Sequence, residues 1–289
     1  MWKKSASGNP KPRVPEIEGD SNIRPLGLTQ SRVQFARVSL ALASFLLPLL
    51  LLISRDVVAQ DKLVGSNVDV RTILNFKVSP TAVQNLLPPG WELNSPTSGP
   101  SEGANLQVTF VDQQEAENPT GSQLPPVRYV LFAVPVKRPG SEVSGLMLFA
   151  GLSPGGAGPY GTNLKATEHV ERKIQYEQSA STVVESWEFQ SEDGAAVSFQ
   201  AQFERGTILR NRSETRTYSQ VKSGFFRIYR YEQGVDVVRA AGDSTDRLQG
   251  LTFKAIGGKF GPLFDGSERL VSVVSVPWYS REIYLPVLQ

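Results

Sequence analysis

The sequence predicts a mainly-β protein: one domain, a barrel or a sandwich, with a few short helices. Three observations carry that expectation. Beyond residue 60, stretches of strand length that alternate in polarity or run continuously apolar recur, divided by Gly, Pro, Ser and Asp. Only residues 79–91 combine helical spacing with a start and a stop signal. No 20–50-residue repeat is present, so a solenoid or propeller is not indicated.

In chain order, residues 68–78 (VDVRTILNFKV) alternate as a strand. Ser79 then suits an N-cap and Pro80 the first helical position. Val83, Leu86 and Leu87 share a helical face, and Pro88–Pro89–Gly90 ends the helix. After a loop at 94–103, residues 104–113 read as a strand with Leu106, Val108 and Phe110 on one side. A polar loop follows at 114–126. Residues 127–137 and 142–153 are apolar runs of the kind found in buried strands. A glycine-rich loop leads into 168–178. There Val170, Arg172, Ile174 and Tyr176 alternate with His169, Glu171, Lys173 and Gln175. Ser191–Glu192–Asp193–Gly194 lies between two alternating runs and marks a hairpin. Residues 223–234, 235–242 and 269–278 complete the strands, with short helices or loops expected at 243–251 and 259–268.

Composition narrows the function. The chain has 289 residues, 40% of them hydrophobic and 20% charged, as in ordinary globular proteins. With no cysteine there is no disulfide framework and no thiolate chemistry. One histidine excludes a His-rich zinc site or a facial iron triad within a single chain. No metal and no cofactor is expected. Residues 1–60 carry eight Lys or Arg and four Asp or Glu, which leaves 22 and 24 for the remainder, a net of −2. No basic stripe with interleaved aromatics occurs, so nucleic acid is not an expected partner.

Residues 1–31 are polar, rich in Pro and Gly, and read as a disordered extension. Residues 32–59 read as a signal peptide. Arg32 and Arg37 precede an uncharged run of sixteen residues (38–53), and Val57–Val58–Ala59 supplies small residues before a cleavage site after Ala59. The run is shorter than the roughly 20 residues of a spanning helix. A periplasmic or secreted domain of residues 60–289 is the expectation, touching the membrane only through this signal. An uncleaved anchor is the alternative. A start at Val33 from a GTG codon would make 33–59 a compact signal peptide by itself. Homo-oligomerisation is compatible with the sequence.

The order strand, SPTAVQNLLPPGWEL, then GANLQVTF at 74–110 resembles the acetoacetate decarboxylase-like superfamily. The later strand order fits as well, so the resemblance spans about 66–285. It implies a closed β-barrel around a small-molecule cavity. In the decarboxylases a lysine of a Tyr-Pro-Lys-Lys-Leu motif forms a Schiff base with a 3-oxo acid. A lysine beside it lowers its pKa, since a neighbouring cation disfavours protonation. Here that stretch is Tyr160–Gly161–Thr162–Asn163–Leu164, a divergent form without the lysine pair.

The resemblance makes Lys165, one residue beyond the leucine, the candidate amine. His169 is a candidate base, since histidine is the side chain best suited to proton transfer near neutral pH, or else a solvent-facing strand histidine. Tyr160, Thr162 and Asn163 form the ligand-facing set, with Arg128 as a further carboxylate-binding candidate. The implied function is a carbon–carbon lyase acting on a small oxo-acid or carbonyl compound. The alternative is a non-catalytic small-molecule-binding barrel that has lost Schiff-base chemistry; a lipocalin-like carrier is a third reading. Gly151–Leu152–Ser153–Pro154–Gly155 matches a nucleophile elbow in letters only. Pro154 has no N–H to offer an oxyanion, so a tight turn is expected there.

Overall fold

The computed structural model describes residues 61–178, 180–242 and 244–287. The extension and signal peptide expected over 1–59 lie outside the described residues. Thirteen strands and one short helix are present among them. They are β1 (Lys62–Lys77), α1 (Pro80–Gln84), β2 (Glu92–Leu93), β3 (Leu106–Glu117), β4 (Gln123–Leu124), β5 (Val127–Lys137) and β6 (Ser144–Ser153). There follow β7 (Asn163–Glu177), β8 (Ala180–Ser191), β9 (Ala196–Glu204), β10 (Leu209–Ser219), β11 (Phe226–Ala240), β12 (Leu248–Ile256) and β13 (Arg269–Leu285).

The mainly-β class is therefore observed, and seven strands close a ring. Their order is β6–β10–β11–β13–β1–β3–β5, with β5 pairing back onto β6. The closing step is narrow: β6 and β10 run parallel and pair only over Leu146–Leu148 and Thr217–Ser219. Register shifts along β1 and β13, one of them between Asp69 and Arg71, let these long strands bend around the ring. Strand β7 starts beside β6 at Gly151–Ser153 and then leaves the ring to build a flanking sheet, β7–β8–β9–β12.

Side-chain alternation divides the ring's strands between two interiors. Leu106, Val108 and Phe110 on β3, Val130, Phe132 and Val134 on β5, and Met147 and Phe149 on β6 belong to the main core, with Trp187, Phe189, Val197 and Phe199 of the flanking sheet. Phe110 is wholly buried, 4.6 Å from Phe199 and 5.5 Å from Trp187 between ring centroids. The alternate residues of β3 and β5 face into the ring. Residues 129–136 are thus apolar throughout because both faces are covered.

The helix at 79–91 starts as expected, with Ala82 N–H donating to Ser79 Oγ at 3.4 Å, but it is only five residues long and buries only Val83. Two expectations are corrected. Residues 243–251, read as a helix or loop, contain the start of β12. A bulge between Leu248 and Gly250 breaks the alternation that Leu251, Phe253 and Ala255 resume. The strands expected at 223–234 and 235–242 are largely one, β11. Gly234 does not end it, and a Cβ there would lie 2.5 Å from Trp278 Nε1, so glycine makes room for the indole.

Candidate functional site

The ring encloses a cavity of about 400 Å³. Its wall is built by one parity of residue on each strand: Asn67 and Arg71 of β1, Gln107, Thr109, Val111 and Gln113 of β3, Tyr129, Leu131 and Ala133 of β5. Thr215 and Thr217 of β10, Arg227 and Tyr229 of β11, and Tyr279, Arg281 and Ile283 of β13 complete it. The glycine-rich loop 155–160 lies across one side.

One buried ion pair organises the wall. Asp69 is fully buried and accepts from Arg71 Nε at 2.5 Å and from Arg71 Nη2 at 2.9 Å, a two-pronged geometry that suits guanidinium and carboxylate. Asn67 Nδ2 donates to the same carboxylate at 2.5 Å. The Arg71 guanidinium lies flat on Tyr279, 3.4 Å from Cζ to the ring centroid. Burial opposes its charge, yet Asp69 and the neighbouring Tyr279 outweigh that and hold Arg71 above its usual pKa.

Arg281 completes the cluster. Its Nε donates to Asn67 Oδ1, and its Cζ lies 4.3 Å from the centroid of the Tyr229 ring. Burial works against this charge too, and the tyrosines around it, with Asp69, shift the balance toward the cation. Tyr229 OH and Tyr160 OH are 2.6 Å apart. Burial pushes Tyr160 well above the usual tyrosine range, and Tyr229 adds to the effect. Burial likewise raises Tyr129 and Tyr279. Tyr129, Tyr160 and Tyr279 therefore stay neutral, as hydrogen-bond donors, at any physiological pH.

The six residues singled out from the sequence scatter. Tyr160 and Asn163 line the cavity. The Asn163 side chain lies over Gly151, where a Cβ would stand 2.4 Å from Asn163 Oδ1. Thr162 is buried behind the wall and donates to Asn163 Oδ1 at 3.3 Å. Lys165 is exposed and outside the cavity, because β7 pairs with the ring only as far as this residue and then departs. His169 stands on the flanking sheet, 67% exposed, with Nε2 3.5 Å from Glu171 Oε1. It lines a separate hollow with Glu188, Ser198 and Lys254. Arg128 has the outward parity of β5 and pairs with Asp112 at 3.0 Å.

In backbone as well as in letters, the loop at 160–164 differs from the Tyr-Pro-Lys-Lys-Leu motif it is set beside in the sequence. Gly161 occupies the motif's proline position with φ +73°, which proline, fixed near −65°, cannot adopt. Among the described residues no lysine lines the cavity. Lys222 approaches nearest in the sense that it latches the loop from outside, donating to Pro159 O at 2.7 Å. Ser153 Oγ accepts from Gly155 N–H at 3.3 Å, the tight turn expected in place of an elbow. No group of three or more His, Asp or Glu among the described residues could hold a metal ion.

Sequence reading missed Asp69, Arg71, Arg227, Arg281 and the cavity tyrosines other than Tyr160. The signal was present in NVDVR: polar residues 67, 69 and 71 share one face of a strand. Such a face normally meets water, but in a closed ring it can meet a cavity instead.

No protein-family model matches the sequence, and no curated protein matches it. The chain is similar in structure to acetoacetate decarboxylase-like enzymes. The enduracididine biosynthesis enzyme MppR, complexed with pyruvate, gives a TM-score of 0.48 at 12% identity over 79% of this chain and 91% of that one. An acetoacetate decarboxylase-like enzyme from Sphingomonas wittichii RW1 gives 0.45 at 9% identity, over 79% and 94%. A structure of acetoacetate decarboxylase gives 0.40 at 13% identity, over 77% and 87%. Likeness at this level leaves the chemistry to be argued from the cavity itself.

Proposed function

We propose that this protein binds a small organic carboxylate inside the ring and does so without a Schiff base. The observation that carries the reading is the wall's charge. Arg281 and Arg227 face the cavity without a carboxylate partner, and no described lysine lines it. A guanidinium that has no ion pair among the described residues, in an enclosure with little water, binds a carboxylate strongly. The volume of about 400 Å³ lies in the range of small-molecule sites. Of the two readings drawn from the sequence, this favours the non-catalytic binding barrel over the lyase. The lyase needs an amine next to the bound carbonyl, and Lys165 is in solvent. The signal-like segment at 32–59 supports export, so the ligand would be met in the periplasm or outside the cell.

Calorimetric titration of the purified protein with pyruvate and acetoacetate, followed by borohydride reduction and mass measurement, tests this. Binding without a covalent adduct is expected. An adduct that disappears in Lys165→Ala would restore the amine mechanism, and no binding of any carboxylate would remove the reading.

A further inference from the structure

We infer that the ligand carries two acidic groups, one held at Arg281 and the other at Arg227, with the Tyr160–Tyr229 hydroxyl pair between them. This rests on the reading that the cavity takes an organic carboxylate, and it specifies a dicarboxylate of about four to six carbons.

The argument begins with an accounting of charge. Asp69 is saturated by two bonds from Arg71 and one from Asn67, so that pair is internally neutral. Arg281 has one hydrogen bond among the described residues, from Nε to Asn67, and no ion pair. Arg227 is half-buried and makes neither a side-chain hydrogen bond nor an ion pair there. Its Nε is buried without a partner. A buried donor left unsatisfied is costly, more so on a charged group. The remaining acid on the wall, Glu117, sits at the end of β3 and accepts from Gln123 Nε2 at 2.6 Å. Two guanidiniums thus face the cavity without an ion pair among the described residues, Arg281 with only the through-space support of Asp69.

Their spacing selects the ligand's length. Arg227, Tyr229 and Tyr231 share one face of β11, and Arg281 is the register partner of Tyr231. At about 3.3 Å per residue and 4.8 Å per strand, the two arginine Cα atoms lie about 14 Å apart. Arg281 leans back over Tyr229, which closes part of that distance. Both cations act on the same buried hydroxyl: Arg227 and Arg281 each pull against the upward shift that burial and Tyr229 impose on Tyr160. Two acid groups separated by a short carbon chain can meet one guanidinium each across that hydroxyl pair. One of the paired hydroxyls donates to the other, which leaves one O–H to donate to a carbonyl or hydroxyl on the connecting chain.

The test is calorimetric titration with glutarate and 2-oxoglutarate, butyrate and pyruvate, and inorganic phosphate. The dicarboxylates are expected to bind at least about tenfold more tightly than the monocarboxylates, as loss of a charge-assisted hydrogen bond implies. Arg227→Gln, checked for folding by its melting curve, should weaken glutarate more than butyrate, so that the gap between the two closes. Equal affinity of glutarate and butyrate for the unaltered protein overturns the inference while the carboxylate reading stands. Phosphate binding more tightly than either overturns the spacing argument. If no carboxylate binds, both fall. Should Arg227→Gln fail to fold, the comparison in the unaltered protein decides.

Discussion

Replacing Asp69 with asparagine tests the organising pair of the cavity. The change keeps the size of the side chain and removes its charge. In the native protein one carboxylate oxygen, Oδ2, accepts from both Asn67 Nδ2 and Arg71 Nη2. An amide must place its NH2 on one side, so either that oxygen or Oδ1 becomes a donor facing another donor. The Arg71 cation is then left in the wall without its counter-charge. Breaking a buried ion pair by removing one partner costs about 3–5 kcal/mol. For a domain of this size each kcal/mol shifts the melting temperature by about 2–4 °C, so a drop of roughly 6–20 °C is expected. Calorimetry or urea unfolding at neutral pH measures it. Arg71→Met should cost a similar amount, and Asp69→Leu combined with Arg71→Met should cost clearly less than the two single losses added together. Strictly additive losses, or a loss under about 1 kcal/mol for Asp69→Asn, would refute the view that these charges are buried and mutually dependent.

Two further substitutions probe other parts of the molecule. Gly151→Ala would push a methyl into Asn163 Oδ1 at 2.4 Å and Val130 O at 2.8 Å, so unfolding should show a loss of about 1–3 kcal/mol, while a neutral result would mean that Asn163 is not seated there. Burial, opposed by Arg128, raises the Glu168 carboxyl above its usual pKa, and its Oε2 lacks a partner. A raised acid penalises the folded state above its folded pKa, and the penalty fades as pH falls toward the ordinary carboxylate value. Glu168→Gln should therefore melt slightly higher than the native protein at pH 7, by under about 1 kcal/mol, with the gap shrinking below pH 5. A gap that widens on acidification would contradict this.

Much of the fold was legible because strands announce themselves locally. The alternation in β9, where Val197, Phe199, Ala201 and Phe203 are all buried and the residues between them exposed, needs no knowledge of a partner. The Ser191–Gly194 turn was equally plain, since Gly194 at φ +85° closes it with a bond from its N–H to Ser191 O at 3.2 Å. β12 was obscured by its bulge, and Gly234 resembled a breaker because the indole that needs the space comes from Trp278, 44 positions away.

The site was half legible. Tyr160 and Asn163 were found through the loop they occupy, and both line the cavity. Lys165 was two residues further along the same strand, and strand parity alone would have put it beside Asn163. What separates them is the departure of β7 from the ring, a property of pairing that no local pattern encodes.

The sequence by itself determined most of the strands, several of their turns and their two-faced character, because backbone preference and side-chain alternation act over a few residues. The tertiary structure alone decided which face of each strand looks inward. Asn67, Asp69 and Arg71 form a polar row that an open sheet would give to water; ring closure buries it and brings Arg281 and Arg227 to the same space. Arg71 and Arg281, 210 positions apart, line one cavity only through that closure, and the field there depends on distance and on the exclusion of water.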